Sequence, residues 1–168
     1  MQYNIAMKVE VSRGEDLDDS TLLELQFLEA DAYACYESLD SDDNIAIIGA
    51  IPTETAKHFK RRMSSTLVLM KKTKCKHRQS IVGIALLSKH KKGLMHLHTV
   101  YVKPSFRKQG IGAALVKKAL KTAEEAGCSV FLDVNPLNSI AMSLYKRMGF
   151  NACKGQTIKM AWASKPQA

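Results

Sequence analysis

Between an apolar run ending at Val102 and an amphipathic run beginning at Gly110 lies the segment Val102-Lys-Pro-Ser-Phe-Arg107-Lys-Gln-Gly110-Ile-Gly112-Ala-Ala-Leu115. Glycines there let backbone approach a ligand closely, and the first N–H groups of the helix that follows have no partners within it. The helix dipole adds partial positive charge, so such a turn suits a phosphate. Arg107 and Lys108 add full charges to its rim. Just upstream stand His96 and His98. An imidazole, with an ordinary pKa of about 6.5, can accept a proton near neutral pH. Two residues apart, the rings share a face in a regular strand, and a bulge would break that relation. Two histidines do not make a metal site, and no metal is expected.

Several phosphate readings compete for the glycine turn. A P-loop needs Lys followed by Ser or Thr after the last glycine, but Ala113 and Ala114 follow Gly112. A dinucleotide fingerprint needs Gly or Ala where Leu115 stands; Asp133 imitates its ribose-binding acid, yet the turn lies far from the chain's first strand. A tight turn with a solvated basic rim remains as the plain alternative.

The elements that must position these groups follow from periodicity. Ile5–Val11 reads as a strand. A helix over about Ser20–Leu39 has acids before it and a Thr21-x-x-Glu24 capping box. A second helix runs from about Pro52 to Met63. Strands are expected at Thr66–Met70, Ser80–Ser88 and Leu94–Val102, joined by a basic loop Lys71–Arg78 and a turn Lys89–Gly93. A helix over Gly110–Ala126 stops at Gly127, and a buried strand spans Val130–Val134. A short helix Asn138–Met148 stops at Gly149, and a hairpin pairs Phe150–Cys153 with Gln156–Trp162. The order β-α-α-β-β-β-α-β-α-β-β predicts an α/β protein of the α+β type. About seven strands form a mixed sheet flanked by about four helices, and the unit Leu94–Val134 needs a right-handed crossover between parallel strands.

The 168 residues suit one domain, residues 1–168. Cys35, Cys75, Cys128 and Cys153 lie far apart with no C-x-x-C pair, which disfavours a zinc ribbon or thioredoxin-like site. The N-terminus lacks a signal-peptide pattern, and no apolar run approaches the roughly 20 residues that cross a bilayer. A cytoplasmic protein off the membrane is expected, with the nucleus as an alternative. Charge is uneven: residues 1–43 hold twelve acids and two bases, a net of −10, and residues 44–168 hold 23 bases and four acids, a net of +19.

Arg107-x-x-Gly110-x-Gly112 matches the R/Q-x-x-G-x-G/A signature of the GNAT superfamily of N-acetyltransferases. Asn138-Ser-Ile-Ala-Met-Ser-Leu-Tyr145-Lys-Arg-Met-Gly149-Phe150 resembles its N-x-x-A-x-x-L-Y-x-x-x-G-F motif. Both stand in the family's order, within Leu94–Phe150. The resemblance implies acetyl-CoA as co-substrate, bound by a core over about residues 94–150 and lying between two splayed parallel strands. Backbone groups of Val100 and Val102 would pair with the pantetheine arm. The turn Arg107, Lys108, Gln109, Gly110, Gly112 and Ala113 would hold the pyrophosphate, with Asn138 near the cofactor. A backbone N–H near Val100 would polarise the thioester. Tyr145 would be the acid for the leaving thiolate, and His96 stands where many relatives carry a glutamate base.

By the same resemblance residues 1–65 border the acceptor, with Asp40, Asp42 and Asp43 in the connection between the first two helices. Those acids would steer a cationic acceptor, such as a small-molecule amine or the amine of a basic peptide. A homodimer is also implied. The cluster Lys71, Lys72, Lys74, Lys76 and Arg78 raises nucleic-acid contact, but no nucleic-acid motif accompanies it. The alternatives in another class are an acyl-CoA sensor without catalysis and a basic interaction module.

Overall fold

The computed structural model describes residues 8–37, 56–75, 78–153 and 158–163. Strand β1 (Glu10–Arg13) precedes helices α1 (Asp19–Glu37) and α2 (Ala56–Met63). Strands β2 (Thr66–Cys75), β3 (Arg78–Lys91) and β4 (Leu94–Val102) follow. Then come α3 (Ile111–Glu125), β5 (Ser129–Val134), α4 (Ser139–Arg147), β6 (Asn151–Ala152) and β7 (Ile158–Trp162). The described strands form one mixed sheet in the order β1-β2-β3-β4-β5-β7-β6, and only β4 and β5 run parallel.

Each face of the sheet carries its own core. On one, Leu115, Val116 and Ala119 of α3 and Tyr145 of α4 pack on Val82, Leu87, Met95, Leu97, Val130 and Leu132. On the other, Leu22, Leu25 and Leu28 of α1 and Phe59 and Met63 of α2 cover Val68, Ile84, Leu86 and Tyr101.

Three local expectations change. The Lys71–Arg78 loop is mostly strand, because β2 continues through Cys75 and β3 begins at Arg78. Lys71 is buried and Lys72 pairs with Glu10 at 3.0 Å, so cross-strand contacts outweigh the low strand preference of lysine. The turn before β4 shrinks because β3 reaches Lys91. The Thr21–Glu24 capping box is replaced: Asp18 Oδ1 accepts from the Thr21 N–H at 2.7 Å, and Glu24 instead accepts from the Ile81 N–H at 3.1 Å. Glu24 thereby ties α1 to a strand whose ladder to β2 shifts register beside Ile81.

A second shift lies in β4. Leu86 pairs with Thr99 and Leu87 with Leu97, so His98 is an extra residue, a bulge. Before it, Met95 and Leu97 face α3; after it, Tyr101 faces α1 and α2, while Val100 and Val102 turn toward α3.

Candidate active site at the split between parallel strands

β4 and β5 pair only through Leu94–Ser129, Met95–Val130 and His96–Phe131. β4 then runs on to Val102 and β5 to Val134 without further pairing. The strands therefore part beyond His96, and the backbone of β4 from Leu97 onward has β3 as its ladder partner but not β5. An edge opened within a sheet can take an extended ligand as an added strand.

At the wide end sits the glycine turn. Arg107 is extended, Lys108 is left-handed at φ 59, and Gly110 is left-handed at φ 77, ψ 1. A left-handed conformation costs a residue with a side chain about 1–2 kcal/mol, so Gly110 suits its place and Lys108 is strained. A left-handed residue directly before a right-handed helical one, as Gly110 stands before Ile111, turns successive N–H groups into a concavity for anions. α3 has no side-chain cap at its start and no acid in its first turn. Its first helical bond runs from the Ala114 N–H to the Gly110 carbonyl, and the N–H groups of Ile111, Gly112 and Ala113 precede it. Arg107, Lys108 and Gln109 are exposed on the rim. Arg107 also braces the turn, since its Nε donates to the Val102 carbonyl at 3.0 Å and its guanidinium lies 5.8 Å from the Tyr101 ring centre.

At the narrow end is a group of rings and one acid. His96 stacks on Phe131, its cross-strand neighbour, with centroids 4.3 Å apart and planes 5° apart. His96 Nε2 lies 3.4 Å from Asp133 Oδ2. The other oxygen, Asp133 Oδ1, is buried and has no hydrogen-bond partner among the described residues. The bulge does not separate His96 from His98: their rings sit 3.9 Å apart, and His98 Nε2 meets the hydroxyl of Ser88. Burial pushes the His98 imidazole down to about 4, helped by the charges of His96, Arg62 and His90. His90 meets the edge of Phe131 at 5.0 Å.

Asp133 enters the sequence reading only as a mimic of a nucleotide-binding acid. Its better signal was alternation: in β5, Val130, Leu132 and Val134 are buried, so Phe131 and Asp133 share the opposite face with His96.

Tyr145 lies on α4, buried among the α3-side core and edge-on to Phe150 at 5.6 Å. Asn138 caps α4, its Oδ1 accepting from the Ala141 N–H at 3.0 Å. A Cβ at Gly112 would lie 3.7 Å from Leu144 and 3.9 Å from Val102, which places the start of α3 against α4 and the end of β4. Asp40, Asp42 and Asp43 lie outside the described residues. Among the described residues no group of three or more acids, histidines or cysteines could hold a metal ion, and no helix is long and apolar enough to cross a membrane.

The Acetyltransferase (GNAT) family matches residues 22–150, a stretch that contains both the split strands and the glycine turn. The chain belongs to that family. It is 45% identical over 56 residues to thialysine N-epsilon-acetyltransferase of Sus scrofa, covering 33% of each chain. It is 38% identical over 66 residues to N-alpha-acetyltransferase of Sulfurisphaera tokodaii, covering 38% of each. The matched stretch thus spans about a third of the length of these curated relatives. Among solved structures, PaiA N-acetyltransferase of Thermoplasma acidophilum in complex with coenzyme A superimposes with TM-score 0.71 and 18% identity, covering 94% of this chain and 99% of that one. The ribosomal-protein-S18-alanine N-acetyltransferase of Escherichia coli superimposes with TM-score 0.62 and 19% identity, over 95% and 97%. At these identities the likeness is one of fold. Among the described residues of this GNAT member, the expected mixed sheet of seven strands with four helices is the observed one.

Proposed function

We propose that this protein transfers an acetyl group from acetyl-CoA to a primary amine by direct attack. The observation that carries the reading is the split between β4 and β5, with an uncapped helix start and a left-handed glycine turn at its wide end. The turn Arg107–Ala113 holds the pyrophosphate through backbone N–H groups, with Arg107 and Lys108 as counter-charges. Val100 and Val102 offer backbone groups to the pantetheine arm, and the Val100 N–H faces the thioester oxygen, where negative charge grows during attack. Asn138 closes the site from the start of α4.

The acceptor arrives as an ammonium and must lose a proton before it can attack. His96 takes that proton, and the Asp133 carboxylate 3.4 Å away stabilises the imidazolium. The new C–N bond forms as the C–S bond breaks. The thiolate takes a proton from Tyr145, whose phenol, with an ordinary pKa of about 10, is matched to a thiol leaving group, and the proton shed by the acylated nitrogen restores the phenol through solvent. His96 then returns its proton to solvent. The acceptor is cationic, a small-molecule amine or the amine of a basic peptide, drawn by Asp133 and by Asp40, Asp42 and Asp43 of the α1–α2 connection. The amine acceptors named for the thialysine and N-alpha relatives support this class.

The test is CoA release from acetyl-CoA across a panel of diamines, amino acids and basic peptides, alongside thermal stabilisation by acetyl-CoA. Release with at least one amine is expected. Stabilisation with no release would leave an acyl-CoA sensor, and neither effect would defeat the reading outright.

A further inference from the structure

Three elements meet at one buried carboxylate. Glu29 projects from α1 with its side chain 5% exposed. Its Oε2 takes the Arg62 Nη2–H of α2 in a short bond, and its Oε1 takes Arg62 Nη1–H at 3.3 Å. The same Oε1 accepts from the Thr99 hydroxyl of β4 at 3.2 Å. Thr99 is itself buried, and it is the first residue after the bulge.

The placement has consequences for the split. A bulged strand has lost part of its ladder, and a slip of one residue would send every following side chain to the other face. Here that slip would turn Val100 and Val102 away from the α3 side of the gap and Tyr101 into it. Thr99 is the residue at which the face changes, and its hydroxyl is anchored to a carboxylate that is in turn held by an arginine of another helix. The carboxylate is enclosed while the Arg62 side chain is 38% exposed, and such a pair contributes little net stability over an apolar replacement of the same shape.

We infer that Glu29 and Thr99 are positioning residues: the Arg62-clamped carboxylate pins Thr99, and so fixes the β4 bulge at His98 and, with it, the Val100 N–H at the split. The kinetic consequence rests on the acetyl-transfer reading; the pinning itself does not. The groups that face His98 are His96 on its own strand, Ser88 and His90 on β3 and Arg62 on α2, with Glu29 of α1 behind Arg62.

Thr99→Val keeps the side-chain shape and removes the hydroxyl, and Thr99→Ser restores it. In the full chain, kcat, KM, CoA affinity and the NMR titration of His98 are measured for both. Loss of one hydrogen bond to a charged group predicts a fall in kcat of about tenfold in Thr99→Val. CoA affinity should fall by less than kcat, because the turn at Arg107–Ala113 keeps its own contacts while only the Val100 and Val102 backbone is disturbed. The His98 midpoint should rise from about 4 toward 6.5 as the ring leaves its setting among His96, His90, Arg62 and Ser88, and Thr99→Ser should return every value. Unchanged kcat and His98 midpoint in Thr99→Val would overturn the inference. So would equal losses in both variants. If the wild-type chain acetylates no amine, the acetyl-transfer reading fails, and the His98 midpoint alone decides: a shift in Thr99→Val upholds the pinning, and no shift overturns it.

Discussion

Gly110 and Gly112 stand two residues apart in one motif, yet the structure assigns them opposite sensitivities. Gly110 is left-handed at φ 77, so alanine there costs about 1–2 kcal/mol or forces the turn to relax. For a chain of this length each kcal/mol moves Tm by about 2–4 °C, so Gly110→Ala should melt roughly 2–8 °C lower. Gly112 lies in the first turn of α3, and an added Cβ would meet Leu144 and Val102 at 3.7 and 3.9 Å, ordinary contact distances. Alanine is the better helix former by up to about 1 kcal/mol, so Gly112→Ala should melt at or slightly above wild type. Ligand affinity adds a second axis. A hydrogen bond to a charged group is worth about 1.5–3 kcal/mol, so loss of one N–H to the pyrophosphate should weaken CoA binding about ten- to a hundredfold in Gly110→Ala. Gly112→Ala should stay within about threefold, since its backbone conformation is unchanged. Differential scanning calorimetry and isothermal titration with CoA measure both axes. Equal melting and equal CoA affinity for Gly110→Ala and wild type would refute the argument from the left-handed turn. Equal losses in the two variants would show that the motif is sensitive to any added bulk, not to conformation.

His96→Ala should lower kcat/KM most near neutral pH and least at high pH, where the acceptor deprotonates itself; a pH–rate profile parallel to wild type removes His96 from the mechanism. His98, held near 4 in the fold against 6.5 free, binds fewer protons folded than unfolded between those values. Its contribution is therefore complete above pH 6.5 and lost as pH falls toward 4; with solvent screening of a partly exposed ring it amounts to about 1–2 kcal/mol. His98→Asn should flatten that part of the urea-stability curve, and a wild-type slope would count against the burial argument. Asn138→Ala removes the α4 cap and should cost about 1 kcal/mol, while Asn138→Asp should keep the cap; a CoA affinity loss that persists in the aspartate variant would separate ligand contact from capping. Gly14→Ala would place a Cβ 2.0 Å from the Met63 carbonyl oxygen, and its soluble yield should collapse.

Features that rest on local chemistry can be read along the chain. The glycines that end helices lie at left-handed positions, with Gly127 at φ 63 and Gly149 at φ 88, because few other residues adopt that conformation. Alternation marked the buried faces of β4 and β5, and the spacing of Arg107, Gly110 and Gly112 marked the turn and its family. Tertiary structure alone decided where pairing stops, where it slips and which charges meet. β4 and β5 part after His96 though both continue, and nothing in either strand's own pattern marks that point. The bulge at His98 is a relation between two strands, invisible in one. Glu24 leaves its helix to meet Ile81, 57 residues away, and Glu29 meets Thr99 across 70. Asp133 reaches His96 only because parallel pairing sets the two strands side by side. Short-range preferences act within a few residues and can be read along the chain. The base candidate His96 and Asp133 meet across 37 residues, in a contact that exists only once the sheet has closed.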